Sequence, residues 1–129
     1  MIDASAIIAV LLSEPERPAL ISITDGVELV APASVHWEIG NAPSAAIKRR
    51  RIALSQAQLA LAAYAGIAIR FVDVDLPSSL ELASSHSLYA YDAYLLVCAL
   101  QLRAPLLTLD AALVRVAHTL GIDMLSVAS

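Results

Sequence analysis

Four of the twelve acidic residues in the chain stand where a carboxylate is costly. Asp3 follows Ile2 and opens onto an apolar run ending at Leu12. Glu38 lies between Val35-His36-Trp37 and Ile39. Asp92 is the only charge between His86 and Arg103. Asp110 closes the apolar segment Leu106-Leu107-Thr108-Leu109. Glu14, Glu16, Asp25, Glu28, Glu81 and Asp123 have polar neighbours. Asp73 and Asp75 alternate with Val72 and Val74, so they read as an outward strand face leading into a loop. A lone buried carboxylate costs several kcal/mol or is driven neutral. Four such sites in one small chain point to a shared solution, and a hard divalent cation is the natural one: Mg²⁺ takes oxygen ligands, keeps several waters and needs few carboxylates. Thr108 precedes Asp110 by two residues, so in a strand both side chains point the same way. Each acid also has a purely structural reading. Asp3, Asp92 and Asp110 each suit an N-cap, and Glu38 suits an exposed helical face.

The elements that must position these acids follow from periodicity and breakers. Ile2-Asp3-Ala4 reads as the end of a first strand, with Ser5 capping a helix to about Leu12. Glu14 to Pro18 is a break, Pro18–Thr24 a second helix, and Asp25-Gly26 a turn. Glu28–Ala31 is a strand stopped by Pro32. Ser34–Arg50 reads as a helix that Pro43 should kink. A further helix starts at Ser55 and ends near Gly66, with Leu54, Leu61 and Tyr64 as its apolar stripe. Ile67–Val74 is a β-branched strand. Pro77–His86 and Tyr89–Leu102 are helices, the second apolar nearly all round and so buried on several sides. Leu106–Leu109 is a strand. Asp110–Leu120 is a helix followed by Gly121 at C′, and Met124–Val127 is a last strand. Alternating strands and helices predict one domain over residues 1–129, a three-layer α/β/α sandwich around a mostly parallel sheet. Ligands bind beyond the carboxyl ends of such strands.

Composition bounds the rest. The chain has 129 residues, of which 59% are hydrophobic and 16% charged, which excludes disorder. One cysteine, Cys98, excludes a disulfide framework and a cysteine zinc site, and its place in the apolar helix makes it core. The net charge of −4 does not advertise nucleic-acid binding, yet Lys48-Arg49-Arg50-Arg51 holds four of the eight basic residues. That run suits a solvated helix end favoured by the dipole, an RNA phosphate contact, or both. His36 is two positions from Glu38 and so points to a different side of a helix, His86 and His118 have no partner at ligand spacing, and all three read as structural or exposed. Trp37, Tyr89, Tyr91 and Tyr94 could stack on bases, but core packing is the stronger expectation. The start of the chain has no basic signal region, and Ile52–Ile69 is too alanine-rich and polar to be a membrane span, so the expectation is a cytoplasmic protein. The high apolar fraction points to a buried subunit interface.

At these acidic residues the sequence resembles the PIN-domain proteins, and within them the VapC toxins of VapBC toxin–antitoxin pairs. The matching segments are Ile2-Asp3-Ala4-Ser5-Ala6, Glu38-Ile39-Gly40-Asn41-Ala42, Tyr91-Asp92-Ala93-Tyr94-Leu95 and Ala104-Pro105-Leu106-Leu107-Thr108-Leu109-Asp110, continuing through Leu120-Gly121-Ile122. The resemblance implies an Mg²⁺- or Mn²⁺-dependent ribonuclease toxin acting on tRNA, rRNA or mRNA. Its acidic quartet would be Asp3, Glu38, Asp92 and Asp110, with Asp3, Asp92 and Asp110 on the metal. Thr108 would support the site, Asn41 would contact substrate or support Glu38, and Lys48, Arg49 and Arg50 would meet phosphates. The expected partners are a second copy of the chain and a VapB-like antitoxin that places an arginine in the acidic pocket. Pro43 departs from the family pattern, which continues that helix with an apolar residue. Two other readings stay open: an RNA-processing PIN nuclease without an antitoxin, and a non-catalytic PIN interaction module.

Overall fold

The computed structural model describes residues 1–125. In chain order its elements are α1 (Ala4–Leu11), α2 (Arg17–Thr24), β1 (Leu29–Pro32), α3 (Ser34–Lys48), α4 (Leu54–Ala65), β2 (Ile69–Val72), α5 (Leu76–His86), α6 (Ala90–Leu102) and α7 (Ala111–Thr119). β1 and β2 pair in parallel, with Leu29 opposite Ile69 and Pro32 opposite Val72. Three further segments extend this pair into a five-piece array. The Ile2 amide donates to the Val30 carbonyl at 2.9 Å. Ile2 then forms a parallel bridge with Leu107, and Leu106 forms one with Met124. The segments expected as strands at Ile2–Ala4 and Leu106–Leu109 therefore shrink to single bridges. The chain turns at Asp3 and at Asp110 straight into α1 and α7, and beyond these residues the amides of Ala6, Ala112 and Leu113 bond the capping carboxylates instead of a ladder. For the last expected strand, Met124 bridges Leu106, while Ser126 and Val127 lie outside the described residues.

The layering is visible in side-chain alternation. Met1, Val30 and Leu106 belong to one buried cluster with Leu95, Leu96, Leu113 and Ala117 of α6 and α7. Their immediate neighbours Ile2, Ala31 and Leu107 belong to the other, with Ile7, Leu20, Val35 and Ile39 of α1, α2 and α3. Successive residues of an extended segment face opposite sides, so the three central segments carry a core on each face, and the three-layer α/β/α expectation holds.

Local chemistry corrects several details. Asp3, not Ser5, caps α1, its carboxylate accepting from the Ala6 amide at 3.1 Å. Asp75, expected on a strand face, caps α5 through the Ser78 amide. α4 does not bury its large residues: Leu54 and Leu61 are exposed and Tyr64 is half-buried, while Ala57 and Ala60 face inward. Alanines let α4 lie close to α1 and α3, its neighbours. α3 runs on through Pro43, which is buried within it. Gly121 follows α7 at φ 75°, where an L side chain would be strained. α6 is buried continuously from Leu95 to Ala99.

Candidate active site

Asp3 anchors the site. It is 7% exposed, and its two oxygens are held differently. Oδ1 accepts from the Ser5 hydroxyl at 2.7 Å and from the Ala6 amide at 3.1 Å. Oδ2 accepts from Thr108 Oγ1, across 105 residues of chain. Thr108 Oγ1 in turn accepts the Asp110 amide at 3.1 Å, and Ser5 Oγ accepts the Leu109 amide at 3.0 Å. Both hydroxyl protons are thus committed to Asp3, so the 3.4 Å approach of Ser5 Oγ to Thr108 Oγ1 is a contact without a proton to share. Two hydroxyls and one amide aimed at one carboxylate stitch the end of the first segment to the end of the Leu106–Leu107 segment. Burial raises the pKa of Asp3, the three hydrogen bonds pull it down, and the charge of Asp110 raises it again.

The other three acids arrive from three other elements. Asp110 caps α7, Oδ1 accepting from the amides of Ala112 at 2.9 Å and Leu113 at 3.2 Å. Asp110 is exposed, against the expectation of an apolar setting, because its position after Leu109 is already the helix cap and not the buried bridge. Asp92 sits in the first turn of α6 and Glu38 in the second turn of α3; both are half-buried. The Glu38 pKa is raised by burial first, then by the charges of Asp3 and Asp92. That of Asp92 is raised by burial, then by Asp110 and Asp3. No hydrogen bond opposes either shift. Asp3 and Asp110 are joined through Thr108, whose hydroxyl donates to the first and accepts the amide of the second, and Glu38 and Asp92 lie within reach of the Asp3 charge. Three of them stand at helix N-termini, where the dipole favours a negative charge.

Between α1, α3 and α6 opens a cleft of about 690 Å³, lined among others by Ser5, Trp37, Glu38, Asn41 and Tyr91. Asn41 shares the Glu38 face of α3, one turn on. Lys48, Arg49, Arg50 and Arg51 are exposed at the far end of α3; Lys48 is ten residues from Glu38, about 15 Å along the axis. The basic run therefore lies outside the acidic cluster. Trp37 and Tyr91 correct the core expectation, being 72% and 57% exposed. Tyr89 is exposed as well, and Tyr94 is half-buried. Helical phase carried the signal for Trp37. Val35 and Ile39 are buried four residues apart, and a residue midway between them points about 200° away. His36 is exposed and meets Tyr64 Oη at 2.9 Å. Cys98 is core, its thiol pushed up to about 11 by burial.

A sequence model of the PIN domain matches residues 1–119. The chain belongs to the PIN domain family. No curated protein matches it. Its structure is similar to the crystal structure of PAE2754 from Pyrobaculum aerophilum, with a TM-score of 0.68 and 20% identity over 88% of this chain and 76% of that one. At that identity the likeness shows the fold alone. PIN domains are generally nucleases, and family membership supports a nuclease at that coarse level. Among the described residues no helix is long and apolar enough to cross a membrane.

Of the four acids only Glu38 lines the cleft, and whether the group suits a divalent ion can be judged from its donors. Among the described residues no three His, Cys, Asp or Glu side chains are drawn together tightly enough to hold one. The donor chemistry nevertheless fits. Every candidate ligand is a hard oxygen, the type Mg²⁺ and Mn²⁺ select. Among the described residues Glu38 and Asp92 have no hydrogen-bond partner to displace. Burial raises the pKa values of Asp3, Glu38 and Asp92 first, while positive charge among the acids would offset the repulsion that adds to it.

Proposed function

We propose that this PIN domain is an Mg²⁺- or Mn²⁺-dependent endoribonuclease of the VapC toxin type, restrained by a cognate antitoxin. The observation that carries the reading is the convergence on Asp3: Ser5 and Thr108 clamp its carboxylate, Thr108 ties it to the Asp110 amide, and Glu38 and Asp92 both feel its charge. Asp3, Asp92 and Asp110 would hold the metal, directly or through water. The bound ion would supply an acidified water and neutralise phosphate charge. Ser5 and Thr108 fix the Asp3 carboxylate so that it cannot turn away. Glu38 has a raised pKa and, among the described residues, no hydrogen-bond partner, which suits it to accept the proton of the attacking water. Asn41, in the same cleft, can donate to a phosphate or a ribose. Lys48, Arg49 and Arg50 would meet phosphates farther along the strand, screening an acidic protein from a polyanion.

An arginine of a VapB-like antitoxin would satisfy the same carboxylates bidentately. Exposed Leu54, Leu59, Leu76 and Leu80 support burial against a second copy of the chain. The deciding experiment is cleavage of a panel of tRNA, rRNA and mRNA fragments with Mg²⁺, Mn²⁺ or EDTA, beside Asp92→Asn. Cleavage should need the ion and disappear in the variant. Cleavage in EDTA, or by Asp92→Asn at the rate of the unmodified protein, would refute the assignment.

A further inference from the structure

Trp37 and Tyr91 are large, flat and open to solvent, and both line the cleft that holds Glu38 and Asn41. They approach it from different helices, Trp37 from α3 and Tyr91 from α6. Each ring is steadied by an edge-to-face neighbour. The His36 ring meets Trp37 with centroids 5.0 Å apart and planes at 72°, and Tyr94 meets Tyr91 at 5.9 Å and 73°. His36 is itself tied to Tyr64 at 2.9 Å. The rings therefore have limited freedom to lose on binding, which is the condition for an efficient contact. Asn41 lies one turn from Trp37 on the same face of α3 and carries both a donor and an acceptor.

Leu54 and Leu59 on α4 and Leu76 and Leu80 on α5 are exposed aliphatic residues, and Phe71 and Tyr89 are exposed aromatic ones; none of them lines this cleft, so Trp37 and Tyr91 are the exposed aromatic residues that stand beside Glu38 in it. Two kinds of surface invite two kinds of partner. Branched aliphatic surface suits protein side chains. Paired π faces beside a carboxylate suit a nucleobase, because every base presents a π face whatever its sequence. Resting on the nuclease reading, we infer that Trp37 and Tyr91 are stacking platforms for unpaired bases of the RNA strand at the scissile position, with Asn41 facing a base edge or the adjoining backbone. They are substrate-positioning residues. A duplex keeps its bases stacked on one another and cannot use them.

Trp37 is the only tryptophan in the chain, so its fluorescence reads the contact directly. The test uses the Asp110→Asn protein with Mg²⁺, to suppress cleavage, titrated with oligoadenylate, an abasic oligomer of equal charge and a duplex. Oligoadenylate should quench Trp37 saturably, and the other two should not. Tyr91→Leu should weaken oligoadenylate binding by about 5- to 150-fold, the range for one lost stack, while Tyr91→Phe should retain it. Trp37→Leu should weaken binding of end-labelled RNA, followed by anisotropy, to a similar degree. Exposure of both positions lets the variants fold, which circular dichroism checks. If labelled RNA binds with Trp37 emission unchanged and Trp37→Leu and Tyr91→Leu bind normally, the stacking role is overturned and the nuclease reading stands. If the unmodified protein neither binds nor cuts any RNA, both fall. An emission shift that depends on protein concentration without RNA would place a second copy on these rings and overturn the proposal.

Discussion

Replacing Thr108 by valine removes one oxygen and keeps the shape of the side chain. Thr108 is 6% exposed. Its hydroxyl donates to Asp3 Oδ2 and accepts the Asp110 amide at 3.1 Å. A hydrogen bond to a charged group contributes about 1.5–3 kcal/mol. The Asp110 amide is only partly buried, so water can replace its lost acceptor at little cost. For a domain of this size about 4 °C of Tm accompanies each kcal/mol, so Thr108→Val should melt about 6–12 °C lower in EDTA at neutral pH. Thr108→Ser keeps the hydroxyl and loses a methyl group, about 0.8 kcal/mol of burial, and should fall by about 3 °C. The deficit of the valine variant should also depend on pH. The hydroxyl holds the Asp3 pKa down against burial. Once acid has protonated Asp3, that bond is no longer charge-assisted, so the deficit should shrink as pH falls through the raised Asp3 pKa. Circular dichroism melts of the three proteins at neutral and at acid pH measure all of this. A valine variant that melts with the unmodified protein at neutral pH, or a serine variant as unstable as valine, would refute the assignment of Thr108 as the clamp on Asp3.

Three further outcomes follow from the same geometry. Asp3, Glu38 and Asp92 have folded pKa values raised above the ordinary 3.8, 4.5 and 3.8. Their contribution to stability is therefore greatest below those ordinary values and is lost as pH rises through the raised ones; urea unfolding in EDTA should show Asp92→Asn flattening this decline, and an unchanged slope would contradict it. Saturating Mg²⁺ or Mn²⁺ should raise the Tm of the unmodified protein by about 10 °C at a hundred times Kd, equivalent to about 2.7 kcal/mol, and should do so far less in Asp92→Asn; equal shifts in both would place the ion elsewhere. Neutralising Arg49 and Arg50 together should reduce the slope of log K against log salt for single-stranded RNA by about 1.4; an unchanged slope would make that helix end a solvated terminus only.

Helices were legible in the sequence because breakers and phase mark them: Pro18, Gly26, Gly66 and Gly121 stand at or beside boundaries that the structure keeps. The outer sheet segments were overcalled for a physical reason. An apolar run such as Leu106–Leu109 advertises burial, and burial here needs only one bridging residue on each side before the chain turns into a helix. The stripe on α4 failed because residue size stood in for orientation. Ala57 and Ala60 are inside and Leu54 is outside, since a close helix contact admits small residues first. Trp37 is likewise large but outward, and the buried pair Val35 and Ile39 fixes its phase. Tyr91 was harder to read. Four residues before buried Leu95, it has the phase of a core residue, but it stands in the first turn of α6 and remains 57% exposed.

The acids also show why a structural reading and a chemical reading of one residue need not compete. Asp3 and Asp110 could each be taken as an N-cap or as a ligand, and the structure makes both of them caps. Capping occupies Oδ1 in each case. On Asp110 it takes both amide donors to that one atom and engages Oδ2 with none of the described hydrogen bonds. On Asp3 the second oxygen is held by Thr108 and keeps a lone pair free. A carboxylate pinned by one oxygen loses its rotamer freedom during folding and so does not lose it again when a ligand arrives. The helix starts that cut the outer strands short are thus the same devices that hold two of the four acids in place. Glu38 and Asp92, which have no such tether among the described residues, are the pair free to adjust, Glu38 around whatever enters the cleft it lines.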